Sequence, residues 1–345
     1  MDFSLSEERK MLQETVARFF ESNYQNINKR NENVNLPEGF CKNFWKESAE
    51  LGIISALVSP KFGGLGGDGD DISIIFELIG KSLCVEPFLA SGVLSSTILS
   101  SVSNPNLDLI NQIVEGKLLI AFAHTEMNNR YEDSFIENSA SLKDNKWCLN
   151  GTKSFVINGD TANKVIVSAR IDGDVNDKAG IGLFLVDNDQ IKNRSYNTVD
   201  GYRASELIFD TTKAELIARD NEALSCIIKA NSAGALALSA EALGIMETCF
   251  NLTLDYLKTR NQFGKSIGSF QSIQHRMVDM MLEIEQVKSA VMLASSTYRS
   301  DEKNRDKNIS AAKNLVGRVG KLVAEETIQL HGGIAMTWEY SASHY

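Results

Sequence analysis

The hydrophobic period changes twice along this chain, and that alternation limits the folds open to it. From Lys117 to about Ile208 apolar residues come in short or alternating runs separated by turn residues, the pattern of β-strands. Leu118-Leu119-Ile120-Ala121-Phe122-Ala123, Val165-Ile166-Val167-Ser168-Ala169 and Ile181-Gly182-Leu183-Phe184-Leu185-Val186 read as strands, and Lys143-Asp144-Asn145-Lys146 as a turn into Trp147-Cys148-Leu149. The intervals lack room for regular crossover helices, so a mainly antiparallel sheet or barrel is expected.

On both sides of this stretch the period is helical. Ser4-Leu5-Ser6-Glu7 can cap a helix carrying Met11, Leu12, Val16, Phe19 and Phe20 at three-to-four spacing. Further helices are expected over 44–51, 72–83 and 94–99. After Ala214 the helices lengthen. Met277, Met280, Met281, Ile284, Val287 and Val291 share one face, as do Ile309, Ala312, Leu315, Val316, Val319, Leu322 and Val323. The helix with Ala230, Ala233, Gly234, Ala235, Ala237, Ala240 and Ala242 is almost smooth and admits close neighbours. The Met stripe reads as core filling, because Met adapts to irregular gaps. The expected architecture is α+β and multidomain: a helical N-terminal domain over 1–116, a middle antiparallel β-domain over 117–214 and a C-terminal helix bundle over 215–345.

The 345 residues carry a net charge of −10 with Lys and Arg dispersed, which argues against nucleic acid as the main partner. No run approaches the roughly 18 uncharged apolar residues of a membrane span, and Met1-Asp2-Phe3-Ser4-Leu5-Ser6-Glu7-Glu8 lacks the layout of a secretion signal. A cytoplasmic protein without a membrane span is expected. Cys41, Cys84, Cys148, Cys226 and Cys249 are far apart, odd in number and free of C-x-x-C spacing, so reduced thiols are expected rather than a disulfide frame or a metal site.

Two motifs could carry chemistry. Gly64-Leu65-Gly66-Gly67-Asp68-Gly69 fits G-x-G-x-x-G, but Asp68, Asp70 and Asp71 put carboxylates where a pyrophosphate needs bare amides. A plain glycine-rich turn is favoured, and the acids lack the continuation of a calcium-binding EF-hand loop. The second motif runs from Asp255 to Arg276. Here a long helix ends near Arg260, Gly264 and Gly268 permit a compact turn, and the Met-striped helix follows. Such a loop can present Arg260 as a planar fork for a phosphate with Gln271 nearby, although on physics alone a solvated helix cap is the commoner role.

Arg260-x-x-Phe263-Gly264-x-x-Ile267-x-x-Phe270-Gln271-x-x-Gln274 resembles the signature of the acyl-CoA dehydrogenase family, and Gln329-Leu330-His331-Gly332-Gly333-Ile334-Ala335-Met336-Thr337 resembles its second signature. Leu51-Gly52-Ile53 through Val58-Ser59-Pro60-Lys61-Phe62-Gly63-Gly64-Leu65-Gly66 resembles the family's N-terminal helix-loop pattern, so the resemblance covers nearly the whole chain. It implies FAD bound between the middle and C-terminal domains, and an oligomer, because the arginine at the position of Arg260 reaches the FAD pyrophosphate of a neighbouring subunit. Gln271 and the turn Gln329, Gly332, Gly333 match residues that embrace that FAD across the interface. Thr125-Glu126 stands where the family has a Thr-Glu pair at a strand end, the Thr hydroxyl near the flavin. The segment 150–159 resembles the strand whose Trp-Ile-Thr triplet lies beside the isoalloxazine, with Phe155 replacing the Trp and Ile157 the Thr. Phe155 can still pack on a flavin, whereas Ile157 has no side-chain hydrogen bond to give.

The family removes the acyl α-proton with a base, usually a glutamate, while the β-hydrogen leaves as hydride to the flavin. One family location lies well beyond the His-Gly-Gly motif, past Tyr345; the other falls at Gly234. No catalytic residue is assigned, and Glu339 resembles a family residue that is not the base. A bundle lacking its last helix would leave apolar surface uncovered, so the C-terminal domain is expected to be truncated. Met127-Asn128-Asn129-Arg130-Tyr131 replaces the usual Pro-Gly-x-Gly-Ser, and 232–235 lacks the Arg some members direct at the ligand. These departures resemble branches acting on large or dicarboxylic acyl-CoAs, often as pairs of unlike subunits.

The resemblance therefore implies an FAD-dependent acyl-CoA dehydrogenase passing electrons to an electron-transfer flavoprotein. Its first rival is a non-catalytic partner subunit completing an FAD site across the interface. A nicotinamide dehydrogenase using the Gly64–Gly69 loop and an oxidase passing electrons to oxygen are the others.

Overall fold

The computed structural model describes residues 5–24, 26–129 and 131–345. Helices come first: α1 (Glu7–Asn23), α2 (Ile27–Val34), α3 (Lys42–Glu50), α4 (Gly69–Ser82), a wide π-type turn over Phe88–Ser95 running into α5 (Ser96–Ser101), and α6 (Leu107–Val114). Ser6 caps α1 by accepting from the Arg9 amide; Ser4, also expected in that cap, lies outside the described residues. Strands β1 (Ile120–Ala123), β2 (Ser139–Lys143), β3 (Lys146–Ile157), β4 (Lys164–Arg170), β5 (Ile181–Asp187), β6 (Lys192–Asn197) and β7 (Arg203–Arg219) follow. The chain closes with the long helices α7 (Asp220–Thr259), α8 (Gln271–Ser296) and α9 (Glu302–His331). The expected order of helical, β and helical domains is present.

By compactness the chain divides into two units, and the N-terminal helices are shared between them: Asn33–Gly67 and Val85–Gly234 form one, Met1–Glu32, Asp68–Cys84 and Ala235–Tyr345 the other. In the first, pairings run β2 to β3, β3 to β7, β7 to β5, β5 to β4 and back from β4 to β2, closing a ring with β1 on β4 and β6 on β7. Closure pairs the ring strands on both sides and leaves β1 and β6, each with one partner strand, at the margins. Most pairings are antiparallel, as the alternation implies, but β4 runs parallel to β1 and meets β2 in parallel at Ser139↔Arg170. The crossover that a parallel pair needs is supplied by the β2–β3 hairpin instead of a helix. That hairpin turns on Asp144 and Asn145, both with positive φ (50° and 59°), the two-residue geometry whose twist suits adjoining strands.

The ring's core holds Val165, Val167 and Ala169 of β4 with Leu149, Val156, Phe184 and Leu207. Trp147 meets Phe184 edge-on with centroids 5.5 Å apart. Ile166, Ser168 and Arg170 alternate with the core residues of β4 and are buried too, so this strand is covered on both faces.

In the second unit, Arg9 of α1 donates to Asp70 (2.5 Å), Asp71 (2.9 Å) and Asp68 (3.3 Å) at the start of α4, where Asp68 and Asp71 form a capping box. The acids that spoiled the dinucleotide reading of this segment thus cap a helix and hold a guanidinium. On α8, Met277, Met280, Ile284, Val287 and Val291 are buried as expected; Met281 is not, at 43% exposed, because one further residue turns it by about 100° to the flank. Helix α7 is long and apolar enough to cross a membrane, yet 61% of its most apolar window is buried within the protein, with Ala230, Ala233, Leu236, Ala237 and Ala240 fully covered. That is the burial of a core helix. None of the five cysteines is in a disulfide.

Helices α4 and α7 approach until their backbones touch. A Cβ on Gly244 would stand 2.0 Å from the Glu77 carbonyl, and one on Gly80 2.0 Å from that of Glu241. Lys81 bridges the crossing, pairing with Glu77 at 2.6 Å and Glu247 at 2.8 Å. Gly244→Ala forces two rigid backbones apart, and a loss of about 1–3 kcal/mol of unfolding free energy is expected in urea titration.

Candidate functional site

The residues singled out in the sequence fall into two groups, one in each unit. In the β-unit, Thr125 leaves the end of β1 while Phe155 and Ile157 lie on β3. The Ser154 amide donates to the Thr125 carbonyl at 2.9 Å, bringing the two segments side by side. Between Lys153↔Leu207 and Val156↔Ser205 the register slips, so Ser154 and Phe155 together oppose Glu206. This two-against-one bulge re-aims side chains. Phe155 adopts φ 53° and is 52% exposed, while Lys153 and Val156 on either side are buried. Thr125 is exposed and Ile157 half-buried.

Beneath this edge lies a polar cluster. The Lys153 side chain has no exposed surface; its Nζ donates to Glu126 Oε1 (2.6 Å), the His124 carbonyl (3.0 Å) and Ser168 Oγ (3.0 Å). Glu126 also accepts from the amides of Glu137 (2.7 Å) and Asn138 (3.1 Å), so its carboxylate is well matched although 2% exposed. Burial pushes the Lys153 ammonium down to about 8, opposed by the Glu126 charge. His124 Nδ1 lies 2.9 Å from Ser168 Oγ. Arg170 donates to the carbonyls of Ser134, Val175, Asp177 and Ala179 and closes the neighbouring loops. After Glu126, Asn129 bonds the Glu132 and Phe135 carbonyls, so the replaced Pro-Gly-x-Gly-Ser segment is held by amide side-chain bonds; its Arg130 lies outside the described residues.

In the helical unit α7 stops at Thr259. Arg260 opens a ribbon of β8 (Asn261–Gln262) and β9 (Lys265–Ser266), with Phe263 and Gly264 at its tip, both at positive φ. The ribbon folds back because the Ile267 amide donates to the Arg260 carbonyl at 2.9 Å. Arg260 and Gln271, the first residue of α8, are exposed, and Phe263 is 90% exposed. At the end of α9 His331 is buried, its Nδ1 2.8 Å from the Thr327 carbonyl, and Gly332 takes φ 68° and ψ −148°, a conformation nearly confined to glycine. The Tyr256 ring lies 4.6 Å from that of His331, so the helix end carrying Arg260 and the turn carrying Gly332 and Gly333 adjoin. Gln329, Gly332 and Gly333 are exposed.

Lys153, Ser168 and His124 had no assigned role in the sequence. The available signal was a lysine that strand alternation places on the same face as Leu149. At Gly234, the second family location for a base, a Cβ would stand 2.8 Å from Leu94; Glu339 is exposed on the surface.

Three family models match in chain order: acyl-CoA dehydrogenase N-terminal domain over residues 6–104, middle domain over 121–212 and C-terminal domain over 224–345. The chain belongs to the acyl-CoA dehydrogenase family. It is 26% identical to the long-chain specific acyl-CoA dehydrogenase of Sus scrofa mitochondria, across 97% of this chain and 80% of that one. With acyl-CoA dehydrogenase IpdE2 of Mycolicibacterium smegmatis it shares 28% identity over 99% and 92%. Among solved structures, the FAD complex of PigA superposes with a TM-score of 0.89 at 25% identity, covering all of this chain and 92% of that one.

The buried histidine makes the fold acid-sensitive. Burial, then the Lys153 charge, pushes His124 down to about 3, so it stays neutral in the folded state while the unfolded side chain takes up a proton near its ordinary value. Its contribution is complete above about pH 6.5 and is lost as pH falls towards 3. Urea midpoints should drop steadily from pH 6.5 to 4.5, and His124→Asn should flatten that slope.

Proposed function

We propose that this protein is an FAD-dependent acyl-CoA dehydrogenase subunit that introduces an α,β double bond into an acyl-CoA thioester and passes the electrons to an electron-transfer flavoprotein. Family membership supports the reaction class. The observation that carries the site is Phe155, lifted outward on a bulge beside Thr125.

FAD, when bound, supplies the acceptor for the departing β-hydride. Phe155 offers a flat apolar face to an isoalloxazine, Thr125 a hydroxyl to its polar edge, and Ile157 apolar contact without a donor. Arg260 supplies the fork for the pyrophosphate of a neighbouring subunit's FAD, with Gln271 and Gln329 as amide partners. A Cβ on Gly333 would meet nothing within 4 Å, and Gly333 lacks a positive φ, so neither packing nor conformation in this chain calls for glycine there. A backbone that a cofactor must approach closely does call for it, at Gly332 and Gly333 alike. The residues present therefore fit FAD.

The glycine at position 234, hemmed in by Leu94, favours a second reading in which a partner subunit supplies the base. The deciding experiment is the visible spectrum of the purified protein with added FAD, followed by anaerobic acyl-CoAs. A flavin band bleached by one acyl-CoA is expected. Binding without bleaching moves the assignment to the partner-dependent reading, and no flavin binding by this chain alone moves it to the non-catalytic partner subunit.

Arg260→Ala removes a charge-assisted contact worth about 1.5–3 kcal/mol. FAD affinity should fall roughly ten- to hundredfold, with a parallel loss of oligomer mass in light scattering. Unchanged affinity would remove Arg260 from the cofactor site.

A further inference from the structure

The two segments that carry Thr125 and Phe155 are joined on their buried side by one cation. Lys153 Nζ takes the His124 carbonyl at 3.0 Å and Glu126 Oε1 at 2.6 Å, gripping the chain on both sides of Thr125. Lys153 itself stands two residues before Phe155. On the outer side the same segments meet through the Ser154 amide and the Thr125 carbonyl. Glu126 in turn holds the amides of Glu137 and Asn138, which bracket the loop over 127–136 and lead into β2.

We propose that Lys153 is the positioning residue of the flavin-facing edge, clamping residues 124–126 to β3 so that Thr125 and Phe155 are presented to the cofactor as one fixed surface. The inference rests on the FAD reading of this edge. An ammonium without any exposed surface is an expensive tether, since its desolvation offsets most of what the pairing returns. A core built for stability alone would fill this space with apolar atoms. The ion pair adds direction: three donors at fixed angles define where the Thr125 backbone sits, which apolar packing does not. The charged groups facing Nζ are Glu126, Glu137 on the following strand's approach, and Arg170 on β4; His124 is neutral.

The test uses the double variant Lys153→Met, Glu126→Gln, which removes both charges together and leaves no buried carboxylate unpaired. Amide exchange reports the clamp in the absence of cofactor, and FAD titration reports its purpose. Expected is at least a tenfold loss of protection at Ser154 with β4 and β5 amides unchanged, and at least a tenfold weaker FAD dissociation constant with a shifted flavin band. Unchanged Ser154 protection overturns the clamp. Loosened exchange with unaltered FAD affinity and spectrum overturns the positioning role and leaves a structural tether. Where wild-type protein itself takes up no FAD, the cofactor reading fails, and with it the role, whatever the exchange shows.

Should the double variant not fold, wild-type protein provides the second measurement. FAD affinity should weaken as pH rises through about 8, where the Lys153 ammonium loses its proton. A flat profile from pH 7 to 9.5 overturns the proposal.

Discussion

A charge with no contact to water has to be matched where it lies, and in the β-unit that requirement falls on Lys153. Its ammonium spends all three donors on a carboxylate, a hydroxyl and a carbonyl. The partners lie on two other segments: Glu126 and His124 follow β1, and Ser168 sits on β4. Meeting them fixes β3 against both. Glu126, once paired, still has lone pairs for two amides at the entrance to β2, so the same pair sets where the hairpin begins. Removing one partner would strand the other as an uncompensated buried charge, at a cost of about 3–5 kcal/mol. The exposed face of this edge therefore inherits its geometry from a group that faces away from it.

Much of the architecture was legible because period survives in sequence. Three-to-four spacing marks α1, α8 and α9, alternation marks the strands, and Lys143-Asp144-Asn145-Lys146 marks a hairpin. What escaped were consequences of pairing at a distance. No local pattern says that β4 lies parallel to β1, because the crossover is a hairpin whose own strands look ordinary. The bulge at Ser154 and Phe155 depends on which residue of β7 stands opposite. Met281 looked buried because it falls on the edge of the apolar arc, where packing and not spacing decides.

The candidate site was legible unevenly for the same reason. Arg260, Gln271 and the Gln329 to Gly333 turn are contiguous motifs, and resemblance picks them out with their surroundings. Thr125 and Phe155 lie in separate segments, and only the Ser154 amide bond to Thr125 makes them neighbours. Lys153 reads in isolation as a solvated strand lysine, the common case. Alternation from Leu149 is the one local signal against that reading, and the partners that match its charge, Glu126 and Ser168, lie in segments that no short window of sequence brings beside it.

Cost is the common thread among the residues proposed to meet the cofactor. A bulky residue at positive φ carries strain of about 1–3 kcal/mol, and Phe155 adds to this an exposed ring. Phe263 repeats the combination at the ribbon tip, 90% exposed at φ 52°. Gly333 loses conformational entropy on folding without any steric or dihedral need for glycine. None of these choices helps the chain fold, and each would be improved by a routine substitution: glycine or asparagine at the strained turns, alanine at 333. Residues kept against local stability in two separate units, each on an exposed surface, are explained together if both surfaces meet another molecule. A flat, polyanionic cofactor bridging subunits asks for an aromatic wall on one surface and an arginine with open backbone on the other.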